Sequence, residues 1–319
     1  MGGIVVFFLN NVYNDSIMSS RNFFCKCLTQ NCCDYYNNDD DIYYSVVKDN
    51  FYALDNYNNI ISFYVPENEQ YTLYQKNHSI KNRPIRGLIS GQEAVGIDYR
   101  PANNRLYLLA RTQQIAQLYI LDINDPCEVI ATPVGTNLVT ETGTIIQLNG
   151  TSFGVDFNPV VDRLRVVSNT GQNLRINPNN GVTIIDGNLS FASGDINAGK
   201  IPAVGGAAYT NSFSGTTTTT LYDIDTNQNV LVIQNPPNDG TLNTVGSLGV
   251  NVSEFVGFDI VGRNNIAYAI LRVNNKTGLY NINLLTGRAT LLKHIIASGS
   301  DNSRCRLIGL TVLPINRIF

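Results

Sequence analysis

Three aspartates stand at one place in a recurring segment: Asp98 in Gly96-Ile-Asp-Tyr-Arg-Pro, Asp156 in Gly154-Val-Asp-Phe-Asn-Pro and Asp259 in Gly257-Phe-Asp-Ile-Val-Gly. If these segments are strands lining a common channel, their side chains form a polar ring able to hold an anion or a metal. A divalent ion such as calcium needs several such oxygens. No cofactor is expected; the alternative is calcium in a central channel, or a metal-dependent hydrolase or lyase working through these carboxylates. Beyond these three, metal ligands stay unassigned. Asp98 and Arg105 are seven residues apart, as are Asp156 and Arg163. That spacing predicts a carboxylate–guanidinium pair across a hairpin, fixing its register. Asp259 has no Arg at the same distance.

The second copy of the segment differs from the others. Arg163, Arg165 and Arg175 lie close in sequence to Asp156, Asp162, Asn158, Asn169 and Asn173. Arg165 and Arg175 stand where the first copy has Tyr107 and Tyr119. A charge in place of an aromatic ring at a strand position costs stability unless it is paired or serves a function. Asp156, Asn158, Arg163, Arg165, Asn169, Asn173 and Arg175 are therefore the candidate binding residues. The plainer reading is a buried network with the aspartates that holds the unit together.

Other chemistry is poorly provided for. There are two histidines, His78 and His294, in no zinc-protease spacing, and a Ser-His-Asp triad would have to use one of them. Ser214–Thr220 is rich in Gly and Thr but lacks a phosphate-loop lysine. The acidic turns Asp122–Asp125 and Asp223–Asp225 do not match a calcium-hand loop. No catalytic residue is assigned, and a non-enzymatic protein is expected.

What must position these residues is a repeat of about 54 residues. Arg105-Leu-Tyr-Leu-Leu-Ala and Gln117-Leu-Tyr-Ile-Leu-Asp follow the first segment, and matching runs follow the others. A looser copy starts at Gly206-Ala-Ala-Tyr, and a fainter one contains Asn50-Phe-Tyr-Ala-Leu-Asp. Each unit has a fourth apolar run: Tyr71–Gln75, Glu128–Val134, Val182–Asp186, Thr241–Val245 and Ala289–Ile295. Four short strands joined by Asn, Asp, Gly and Pro turns make an antiparallel meander. Leu106, Leu108 and Ala110 point one way and Tyr107 and Leu109 the other, so the sheet hides both faces. A ring of small sheets packed face to face does this for every unit. The expectation is an all-β propeller of four-stranded antiparallel blades, five in number with six as the alternative. Ile308–Leu313 is expected to close it by completing the first blade, a position for which Tyr43–Lys48 competes.

The segments Gly154–Gly181 (GVDFNPVVDRLRVVSNTGQNLRINPNNG), Ala207–Ser212, Val230–Val245 (VLVIQNPPNDGTLNTV) and Thr277–Leu291 (TGLYNINLLTGRATL) resemble the family labelled domain of unknown function 4394. The resemblance runs over about residues 45–314. It implies a propeller-like all-β domain, often on secreted or surface proteins, and brings no established activity.

Residues 1–42 read as an arm before a propeller domain at 43–319. Gly2–Leu9 is apolar but short, with no basic residue before Arg21, and does not read as a secretory leader. Cys25, Cys27, Cys32 and Cys33 cluster in the arm and are candidates for disulfides or for cross-links between subunits. The sequence of 319 residues carries a net charge of −3 with 15% charged residues. That balance argues against a nucleic-acid partner, and no apolar run is long enough to span a membrane. Protein partners or self-assembly are expected, with a small-molecule or glycan ligand unassigned. The Asn, Asp and Tyr bias suggests an AT-rich genome such as that of a large DNA virus, which favours a virion or extracellular surface over the cytoplasm. Sequons at Asn14, Asn77, Asn149, Asn188, Asn251 and Asn275 matter if the chain is secreted.

Overall fold

The computed structural model describes residues 23–26, 51–63, 81–298 and 305–313. The fold is all-β, antiparallel and propeller-like. Among the described residues there is no α-helix, only a 3-10 turn at Pro237–Asp239. A short strand, β1 (Phe23–Lys26), comes first. Next come β2 (Phe51–Asp55), β3 (Asn59–Phe63) and β4 (Lys81–Arg86), then β5 (Glu93–Arg100), β6 (Arg105–Arg111), β7 (Ala116–Asp122) and β8 (Val129–Pro133). The third unit is β9 (Phe153–Asn158), β10 (Arg163–Ser168), β11 (Asn173–Ile176) and β12 (Thr183–Ile185). After the two-residue β13 (Ser190–Phe191) the fourth unit is β14 (Val204–Tyr209), β15 (Leu221–Asp225), β16 (Val230–Gln234) and β17 (Thr241–Ser247). The last is β18 (Val256–Ile260), β19 (Ala267–Val273), β20 (Lys276–Ile282) and β21 (Ala289–Ser298), followed by β22 (Leu307–Val312).

Within a unit the strands pair in sequence order, each antiparallel to the last. The C-terminal strand β22 pairs antiparallel with β2, Ala53 opposite Leu310. The order β22-β2-β3-β4 is therefore the same meander as β5-β6-β7-β8. Parallel contacts lie at the outer edges: β4 with β8, β13 with β17, and β1 with β21, where Phe23 meets Ile295. Residues of the arm thus add a strand to the last unit. Tyr43–Lys48, Cys27, Cys32 and Cys33 lie outside the described residues, and of Cys25 only the backbone is described, in β1.

The two-sided burial expected of the strands is met. Leu106, Leu108 and Ala110 of β6 pack in one core with Leu54 and Ile60, while Tyr107 and Leu109 join a different core with Phe157 and Leu164. In the last unit Ala269 and Leu271 face Ile224 and Leu231, whereas Ile270 faces Phe51 and Leu310. Burying each Leu, Ile or Phe among them contributes about 1.5–3 kcal/mol. Because both faces of a unit are spent on its neighbours, the units hold one another in place.

The strand that follows β3 in the first unit is Lys81–Arg86; the run Tyr71–Gln75, expected as its fourth strand, lies outside the described residues. KNRPIR has little intrinsic preference for a strand. It is held by pairing with β3, and buried Arg83 donates from Nη1 to the carbonyls of Ile123 and Asp125.

Candidate functional site

Asp98, Asp156 and Asp259 sit two residues after a glycine on β5, β9 and β18. Those glycines let the first strands of the units come close. A Cβ on Gly154 would lie 2.6 Å from the Ala207 nitrogen, and one on Gly257 would lie 2.8 Å from the Gly309 carbonyl carbon. A side chain there would push the strands apart. With the strands this close, carboxylate oxygens of the three aspartates lie within 4.8 Å of one another, and the residues are 3%, 1% and 5% exposed.

Each carboxylate reaches across to the next strand. Asp98 Oδ2 accepts from the Phe157 amide at 2.7 Å, Asp156 accepts from the Tyr209 amide, and Asp259 Oδ2 accepts from the Val312 amide at 2.5 Å. On β22 the same position is Thr311, whose hydroxyl accepts from the Tyr99 amide at 3.2 Å and donates to Asp98 Oδ1 at 2.9 Å. On β14 it is Ala208, which has no acceptor to offer. The amide left without a neighbour's carboxylate, that of Ile260, is taken by Asp259's own Oδ1 at 2.6 Å. The repeated aspartate is thus structural in part, because it satisfies an amide on the adjoining strand.

Not every oxygen is satisfied. Among the described residues Asp156 Oδ1 is buried without a hydrogen-bond partner. Burial, and then the charge of Asp259, push the Asp98 carboxyl well above the ordinary carboxylate range. Burial and the charges of Asp98 and Asp259 do the same to Asp156. Burial raises Asp259 to about 6. Three like charges this close cannot all be ionised in a low-dielectric site unless a cation joins them.

The Asp–Arg pairs expected seven residues apart do not form. The hairpins close at Arg100 opposite Arg105 and at Asn158 opposite Arg163, so Asp98 faces Tyr107 and Asp156 faces Arg165. Arg163 instead donates to the Asp162 carbonyl, and Arg100 forms an ion pair with Asp162.

Of the candidate binding residues, the structure brings together Arg165, Asn173 and Arg175. They meet around Asp186, which sequence reasoning placed only at the end of a strand. Arg165 and Arg175 are directly opposite on β10 and β11, a like-charge pairing that is unfavourable alone. Asp186 bridges them: Arg165 Nη1 reaches Oδ2 at 2.6 Å, and Arg175 forms a two-pronged contact at 2.7 and 2.8 Å. Arg165 also donates to Asn173 Oδ1 at 2.7 Å and Asn238 Oδ1 at 2.8 Å, and its Nε to the Tyr209 hydroxyl at 3.3 Å. Of the other four, Asn158 accepts from the Val160 amide and also hydrogen-bonds the Tyr209 hydroxyl that Arg165 touches. Asp156 belongs to the carboxylate group, Asn169 accepts from the Thr151 amide, and Arg163 binds its own turn. Two arginines without an acidic partner in their own strands were a signal for Asp186. Asn238, in a loop of the next unit, left none.

Asp223 on β15 is fully buried, and among the described residues neither of its oxygens has a hydrogen-bond partner. Burial lifts its carboxyl well above 3.8, Arg165 pulls it back, and Asp225 adds to the rise. Such a group binds more protons folded than unfolded, so it destabilises the fold progressively as pH rises past about 3.8. Asp223→Asn is expected to raise the melting temperature at pH 7.5. The gain should fade as the pH drops through 3.8, below which the wild-type carboxyl is protonated in both states. Paired thermal melts across pH 4–8 measure it, and a variant equally or less stable at every pH contradicts the assignment.

Beside the carboxylates, Gly96, Gly154, Val155, Gly206, Val256 and Gly309 are among the residues lining a void of about 10 Å³. That is room for about one water molecule.

The family described as Domain of unknown function (DUF4394) matches residues 70–305. No curated protein matches the chain. Among solved structures the chain is similar to one from a nidogen–laminin complex, at 10% identity over 84% of this chain and 99% of that one, with a TM-score of 0.44. It is similar to a glutaminyl cyclase of Myxococcus xanthus, at 9% identity over 79% and 97%, with a TM-score of 0.40. A third is the β-propeller domain of Cps50 (Swd1) from Myceliophteria thermophila, at 10% identity over 79% and 89%, with a TM-score of 0.33. None of these is near enough to inform activity.

Proposed function

Since the chain belongs to the DUF4394 family, a domain of unknown function, we propose a function that rests on its shape: a five-bladed β-propeller, closed by β22 on β2, acting as a non-enzymatic structural or binding module. The observation that carries this reading is the filled axis. The first strands β5, β9, β14, β18 and β22 approach through small residues, and the void among them is about 10 Å³. An organic substrate needs a cleft some thirty-fold larger or more, roughly 300–1,000 Å³. The carboxylates are spent largely on the neighbouring strands' amides.

The module works at a surface, that of a virion or a cell, where it joins protein partners or copies of itself. The cluster of arm cysteines suits cross-linking there. Asn149, Asn188, Asn251 and Asn275 are exposed and stand in glycosylation sequons. The second reading is a metal-dependent hydrolase or lyase, favoured by the convergence of Asp98, Asp156 and Asp259.

Two measurements separate the readings. Purified full-length protein, given ester, lactone and phosphodiester substrates with calcium, magnesium or manganese, is expected to show no turnover. Turnover lost in Asp156→Asn would establish the enzyme instead. On a non-reducing gel of native material, cysteine-dependent oligomers are expected; a chain that runs as monomer with and without reductant counts against cross-linking through the arm.

A further inference from the structure

We propose that Asp98, Asp156 and Asp259 together hold one hard divalent cation, of the calcium class, as a structural ion on the axis of the ring. The inference rests on the five-bladed reading, which sets β5, β9 and β18 around one axis. Three facts carry it. Carboxylate oxygens from the three strands lie within 4.8 Å of one another, close enough to share an ion. Asp156, 1% exposed, keeps one oxygen without a partner among the described residues. A void of about one water's volume lies along the same strands.

The donor set selects the class of ion. Only oxygens are present: the carboxylates and the Thr311 hydroxyl bonded to Asp98. With no imidazole or thiolate in the group, zinc and copper are poor candidates, and calcium, magnesium or manganese fit. Calcium tolerates irregular geometry and accepts carboxylates that also take a hydrogen bond, which suits aspartates already tied to Phe157 and Val312. The ion would replace protons as the partner of the three acids. It would join blades that the amide contacts already link in pairs.

The experiment uses the full-length chain. Metal content is measured on protein purified without chelator. Thermal melts are then compared in EDTA and in millimolar calcium, magnesium or manganese. Terbium luminescence, sensitised by tyrosine, reports a site directly. The expected result is about one ion per chain, a melting temperature raised by several degrees with calcium, and a terbium signal displaced by calcium. Asp156→Asn keeps the shape and removes one ligand charge, and it should abolish both the shift and the signal. Glu141→Gln, an exposed site away from the axis, should keep both. Absence of a metal-dependent shift and of a terbium signal in the wild type, or binding unchanged in Asp156→Asn, overturns the proposal. Either result would leave three acids sharing protons. The ring is judged separately, by removing β22, so failure of the ion and failure of the ring are distinguishable.

Discussion

Asp186→Ala is expected to destabilise the protein by about 3–5 kcal/mol, most of it from Arg165 rather than from the lost carboxylate. Arg165 is the largest fully buried side chain among the described residues, and its side chain is 2% exposed against 4% for Asp186. Its guanidinium keeps Asn173, Asn238 and Tyr209 as neutral partners. Without Asp186 it would be a buried cation with no direct counter-charge, opposite a second arginine on the adjoining strand. Arg175 is the control. Its side chain is 26% exposed, so Arg175→Gln removes a contact to the same carboxylate but leaves no charge stranded, and should cost only about 1 kcal/mol. The two are compared by urea unfolding. A double variant, Asp186→Ala with Arg165→Met, should regain part of the loss, because the stranded charge goes with its partner. Equal costs for Asp186→Ala and Arg175→Gln would mean that Arg165 is satisfied by its neutral partners, and the network would then be free for a ligand.

This network shows how far the chain could be read without coordinates. The strands of β6 and β19 were legible because both faces are largely apolar, and β10 because its run repeats theirs at nearly constant spacing, a pattern few folds can bury. The Gly-x-Asp segments were legible for the same reason. The hairpin register was not. Asp98 and Arg105 suggest a pair by spacing alone, but a four-residue turn closes at Arg100 and Arg105, leaving Asp98 two places away. Once there, the carboxylate is drawn inward by the Phe157 amide, a contact 59 residues distant that no local spacing encodes. β4 was missed because tertiary pairing overrides propensity in Lys81–Arg86. Asp186 lay in a run marked only as a strand, and its meaning depends on Arg165 and Arg175 pointing to the same side.

Deleting residues 305–319 is expected to abolish cooperative unfolding. The strand removed, β22, carries Leu307, Leu310 and Val312 into the core formed with Phe51, Phe63 and Ile270. Three such side chains contribute about 5–9 kcal/mol, comparable with the whole stability of a typical domain, about 5–15 kcal/mol. Two further losses add to this. Asp259 loses the Val312 amide, and Asp98 loses the Thr311 hydroxyl. β2, left as an edge, exposes unpaired backbone beside buried Ala53 and Leu54. A peptide of residues 305–319 added in trans should restore a cooperative melt, which separates a missing strand from a generally damaged chain. Two point variants probe the same seam more gently. Gly257→Val drives a side chain into Gly309 and Leu310 of β22 and should cost about 1–3 kcal/mol or more. Thr311→Val removes one hydroxyl that both accepts from Tyr99 and donates to Asp98, and should cost about 1–3 kcal/mol. If the strand closes a ring, both point variants weaken a single transition and the deletion removes it, since every unit relies on both neighbours. A truncated chain that still melts cooperatively near the wild-type temperature would make β22 an appendage, and the units an open row.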